Sequence, residues 1–143
     1  MYRIENYWKT KTTSSNILFN KGKLEEALVG YKDALYRAEV LNTHQSECIR
    51  NGVPFIQIYI ISCNNIADIY KELKKYEEAE NTLKRVVYYL LYLSKNDGLN
   101  IAEIRRELKR ATTSYVNFVK EHRNDKKHQE TLFTVLEKQL MEV

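Results

Sequence analysis

From Leu24 the apolar positions run Leu24, Ala27, Leu28, Tyr31, Ala34, Leu35, Ala38 and Leu41. This three-four spacing marks one face of a helix, and Lys23, Glu26, Lys32, Asp33, Arg37 and Glu39 fill the opposite face. Asn51-Gly52 breaks the pattern, and Pro54 suits the first turn of a new helix, where its missing N–H would have no partner anyway. That helix is expected over 54–73 and another over 76–94, stopped by Asn96-Asp97-Gly98. Asn100 with Glu103 has the spacing of a capping box and opens a helix ending near His122. A last helix follows Asn124-Asp125, its apolar face made of Leu132, Leu136 and Leu140, widened by Phe133 and Val135. The first helix, over 4–20, has the weakest pattern, because Thr12, Thr13, Ser14 and Ser15 form a run of poor helix formers.

Six helices joined by short polar turns predict an all-α chain of antiparallel hairpins, about 4–45, 54–95 and 100–142, in a single domain. With four glycines and one proline in 143 residues, the chain lacks the frequent turn residues of an all-β fold. Its length suffices for a core without metals or disulfides. Cys48 and Cys63 have no metal or redox spacing and are expected as free thiols in a reducing compartment. No apolar stretch approaches the ~20 residues of a membrane span, and residues 1–20 carry no signal-like run. A cytoplasmic protein is the expectation.

A repeat search brings out a resemblance. Gly22, Leu24, Ala27, Tyr31, Ala34 and Leu35 resemble the second half of a tetratricopeptide (TPR) unit. Cys63, Ile66, Ala67, Tyr70, Tyr76, Ala79, Leu83 and Val86 resemble a whole second unit. Ala27, Ala67 and Ala79 are small where two helix backbones must approach closely, and Ser15 takes that place in the first unit. The sequence departs from the family at Lys74, which stands where the turn usually has glycine, at a cost of about 1 kcal/mol for a left-handed lysine. The offset between units, Leu24 to Tyr76, is also longer than the family's. The resemblance covers residues 8–93 well and the remainder poorly.

The resemblance implies a short TPR-like stack whose groove, lined by the first helix of each hairpin, holds extended peptides. Carried over by position, the groove residues are Lys9, Thr12, Asn16 and Asn20, then Ile61, Asn64, Asp68, Lys71 and Glu72. Some TPR domains clamp a peptide's terminal carboxylates, and the matching positions are Thr12, Asn16, Asn65, Arg106 and Arg110. Thr12 lacks the charge of the lysine expected there. The peptide-binding candidates are therefore Thr12, Asn16, Asn64, Asn65, Asp68, Lys71, Arg106, Lys109 and Arg110.

Catalytic chemistry has little to work with. His44, His122 and His128 have no cysteine or carboxylate at ligand spacing, and no phosphate-loop, nucleophile-elbow or metalloprotease pattern occurs. Glu77, Glu78 and Glu80 open a helix, where acidic residues favour the positive dipole end. No enzyme activity, cofactor or metal is expected.

Charge and apolar runs add two alternatives. Between residues 99 and 128, eight bases face four acids, a surplus of +4 that equals the formal net charge of the whole chain. Arg105, Arg106, Lys109 and Arg110 share one face, able to bind acidic peptide or phosphates, or to remain solvated with Glu103–Arg106 and Glu107–Arg110 pairs. Nucleic acid is the weaker reading, because no aromatic residue interleaves with these bases. The apolar runs at 55–61 and 86–93 would need cover on every side, from the third hairpin or from a second copy in a homodimer, with Tyr88, Tyr89, Leu91 and Tyr92 as its contact. The leading expectation is a non-catalytic protein-interaction module, an adaptor or chaperone-like peptide binder. A nucleic-acid binder and a self-associating structural subunit stand behind it.

Overall fold

A computed structural model describes residues 1–123 together with Lys127, Glu130, Thr134 and Glu137. Among these residues the chain is all-helical: α1 (Tyr2–Asn20), α2 (Leu24–Asn42), α3 (Gln45–Asn51), α4 (Phe55–Glu72), α5 (Tyr76–Leu93) and α6 (Ile101–His122). Five of the six follow the apolar periodicity to within about two residues. The exception is α3, a seven-residue helix between the first two expected hairpins. It has one buried anchor, Cys48, too few apolar positions to reveal a period. The expected helix containing Leu132, Leu136 and Leu140 lies outside the described residues.

Backbone packing divides the chain into two compact units, Met1–Lys75 and Tyr76–Val143. In the first, α2 packs on both α1 and α4. Ala27, Leu28 and Tyr31 of α2 meet Ile66 and Ile69 of α4, flanked by Leu18, Phe19, Leu24, Leu35, Tyr70 and Leu73. On α1, Ser15 sits at a close helix contact, as expected, and its partner on α2 is Gly30. A methyl group at Gly30 would land on Ser15 Oγ and lie 3.2 Å from Ser15 Cβ, so the helices touch where neither has bulk. The run at residues 12–15 is helical because Thr12 and Ser15 are buried in this packing, which overrides weak propensity. Trp8 Nε1 donates a buried 2.6 Å hydrogen bond to Ser62 Oγ and ties α1 to α4.

Three helix ends in this unit use the same turn. After α1, Lys23 N–H donates to the Leu18 carbonyl and Gly22 N–H to Phe19; after α3, Val53 donates to Cys48 and Gly52 to Ile49. After α4, Lys75 donates to Tyr70 and Lys74 to Lys71. Each turn needs one left-handed residue: Gly22 at φ 77°, Gly52 at φ 68° and Lys74 at φ 60°. The lysine takes the strained conformation expected of it.

In the second unit α5 packs on α6. Asn100 caps α6, its side chain accepting a 3.1 Å hydrogen bond from Glu103 N–H. Antiparallel packing brings the start of α5 to the end of α6: the Tyr76 ring stacks on His122 with centroids 4.4 Å apart, and Phe118 lies against both. The apolar runs are mostly covered within the chain. Val86, Val87, Leu90, Leu91 and Leu93 are buried, Tyr88 and Tyr89 half-buried, and Tyr92 remains exposed; of the earlier run only Ile61 is exposed.

Candidate functional site

The first unit carries a polar concavity of about 300 Å³ lined by Asn16, Phe19, Asn20, Tyr31, Asn65 and Asp68. Residues 16, 19 and 20 follow one another around the last turns of α1, while 65 and 68 are one turn apart on α4, so both helices point their polar edges into it. Tyr31 of α2 forms the floor, and its hydroxyl donates to Asn16 Oδ1. That bond fixes the Asn16 carboxamide and leaves its amino group available.

The pocket's charge is a single carboxylate. Asp68 keeps 59% of its side chain open to solvent, with Lys71 Nζ 3.8 Å away. Partial burial raises its carboxyl from the ordinary value, and Lys71 draws it partly back. Burial, and then the Asp68 charge, likewise push up the Tyr31 hydroxyl, which stays protonated as donor.

The structure thus brings together Asn16, Asn65 and Asp68 of the expected site, adds Asn20 from the wider groove, and places Lys71 as an ion-pair partner. Asn64 is exposed on α4 outside the pocket lining. Thr12 requires a correction: it is buried, 8% exposed, with no hydrogen-bond partner for Oγ1 among the described residues, so it offers nothing to a ligand. Its position faces the helix packing because Trp8, Thr12 and Ser15 form the inward stripe of α1. Arg106, Lys109 and Arg110 stand exposed on α6, in the second unit.

Sequence reasoning missed the buried acids of the second unit. Glu77 and Glu78 are exposed in the first turn of α5, as dipole electrostatics suggests, but Glu80 is 3% exposed. Its Oε2 accepts a 3.2 Å hydrogen bond from the Tyr115 hydroxyl, and its Oε1 lies 3.6 Å from Arg123 Nε. Burial and the neighbouring carboxylate raise the Tyr115 hydroxyl far above its ordinary value. A signal was present: Glu80, Leu83 and Val87 share one apolar stripe. Glu107 is also buried, held by Arg110 at 3.1 Å, whereas the expected Glu103–Arg106 pair does not form among the described residues.

No group of three or more potential metal ligands occurs among the described residues, and no described helix is long and apolar enough to cross a membrane. No curated protein and no solved structure matches the chain. One family model does, over residues 6–138, nearly the whole sequence, and its description is a protein of unknown function. The chain therefore belongs to the DUF2753 family.

Proposed function

We propose that this chain is a non-catalytic, TPR-like interaction module of the cytoplasm that holds an extended segment of a partner protein against α1 and α4 of its first unit. The observation that carries the reading is the convergence of three carboxamides, Asn16, Asn20 and Asn65, on one open pocket over a tyrosine floor. A carboxamide both donates and accepts, so it matches the alternating N–H and C=O groups of a peptide backbone whatever its side chains. Phe19 and Tyr31 supply an apolar base, and the Tyr31–Asn16 bond reduces the ordering left to occur on binding. Asp68 favours a peptide bearing a cation over an acidic tail. Two buried cysteines outside any disulfide fit a reducing compartment.

The test is selection from a display library of random linear peptides against wild type and an Asn16→Ala, Asn65→Ala double variant. Peptides enriched by wild type alone, with basic residues over-represented, are expected. Enrichment that survives the double variant would sink the reading.

A further inference from the structure

We infer that α6 is a docking surface for the phosphate backbone of a nucleic-acid duplex. Between Arg105 and Arg110 burial separates the charges of this helix by sign. Arg105, Arg106, Lys109 and Arg110 are exposed, as is Lys120 further along. Glu107, between them in sequence, turns inward with 7% of its side chain reachable by solvent, while its partner Arg110 keeps 70%. Glu103 is half-buried and pairs with none of these bases, and Arg105, Arg106 and Lys109 have no ion-pair partner among the described residues. The neutralisation that would make this an ordinary solvated face is therefore largely missing. What remains outward is a group of four cations over Arg105–Arg110, on a stripe of about 22 Å at 1.5 Å per residue that ends at Lys120 beside the exposed Glu121.

The residues between the cations decide the partner. Ala102, Thr113, Ser114 and Asn117 are the other exposed positions along the stripe before Glu121. None is a large apolar or aromatic side chain. A protein partner is usually anchored by such groups at the centre of its interface, and this face has none. Single-stranded nucleic acid is usually held by bases stacking on aromatics, and none are offered here. Phosphates need only charge and small donors, which Arg, Lys, Ser, Thr and Asn supply. A duplex backbone is the polyanion that fits a helix face with cations and nothing to bury. Lysine and arginine at a single face also predict binding without sequence preference, since no base-reading geometry is implied.

Fluorescence anisotropy with a labelled DNA duplex and the full chain, across a salt series, tests this. Each phosphate neutralised contributes a slope of about −0.9 to log affinity against log salt. The triple variant Arg105→Ala, Arg106→Ala, Lys109→Ala is expected to flatten the slope by about 2–3 and weaken binding at low salt by on the order of 10-fold or more. A control carrying Lys21→Ala, Lys23→Ala and Arg50→Ala removes the same charge from exposed positions of the first unit and should leave the slope near wild type. Far-UV circular dichroism confirms that both variants remain folded; these side chains are exposed, and if the triple variant unfolds, Arg106→Gln alone carries the test with a slope change of about 0.9. The inference is overturned by a control that loses as much as the triple variant, by no duplex binding at low salt, or by polyglutamate competing as well as unlabelled duplex, which would assign the face to an acidic protein.

Discussion

The two units differ in whether they bury charge. The first encloses neutral groups: the Trp8 indole against Ser62, Ser15 under Gly30, and the Thr12 hydroxyl. The second encloses one neutral hydroxyl, Thr112, and in addition two carboxylates, Glu80 beside Tyr115 and Arg123, and Glu107 under Arg110. A neutral group left unpaired costs a hydrogen bond, whereas a buried charge deprived of its partner costs several times more. The first unit should therefore respond chiefly to changes in shape and the second to changes in charge.

The sharpest way to break this contrast lies in the second unit. Glu80→Ala strips Arg123 of a carboxylate and the Tyr115 hydroxyl of its acceptor, and should lower unfolding stability by about 3 kcal/mol in denaturant titration. A midpoint equal to wild type would mean that the buried carboxylate contributes nothing net. Ser62→Ala is the neutral counterpart. It leaves the Trp8 N–H enclosed without an acceptor and should cost about 1–3 kcal/mol by the same measurement.

Shape is tested at Gly30. Alanine is worth nearly 1 kcal/mol over glycine in a helix interior, so a purely local view expects Gly30→Ala to stabilise. Its methyl group would instead meet Ser15 Oγ, and overpacking of this kind costs about 1–3 kcal/mol. The expected result is a net loss, partly restored when Ser15→Gly is added; a higher melting temperature for Gly30→Ala alone would show that α1 gives way freely. The smallest effect has the opposite sign. Lys74→Gly relieves the left-handed lysine at φ 60° and should raise stability by up to about 1 kcal/mol in thermal melts. No gain there would mean that the lysine side chain repays its strain.

Much of this was legible in the sequence because helices write their periods locally. The spacing of Leu24, Ala27, Leu28 and Tyr31 located α2, and Lys74 was expected in a left-handed turn because the tetratricopeptide resemblance puts glycine there. Glu80 and Thr12 were misread for a common reason. Both are polar residues on inward stripes, and their partners, Tyr115 at a separation of 35 residues and the packing of α1, appear only once helices are assembled. Helix α3 was too short for a period to register. The pocket was half visible: the resemblance to tetratricopeptide units pointed to Asn16, Asn20, Asn65 and Asp68, but nothing local indicated that Tyr31 would hold Asn16 from a different helix.

The bond between Trp8 and Ser62 has an optical consequence. Trp8 is the chain's one tryptophan among eleven tyrosines, and it is buried in the first unit. Light absorbed at the red edge, beyond the tyrosine band, therefore excites a chromophore in that unit alone, and its emission should shift when water and loss of the Ser62 acceptor reach the indole. Ellipticity, by contrast, averages over all the helices. Overlaying the two melting curves asks whether the units come apart together: coincidence marks one cooperative block, and an emission change displaced from the ellipticity change marks two. The molecule carries its own reporter, with no label to attach.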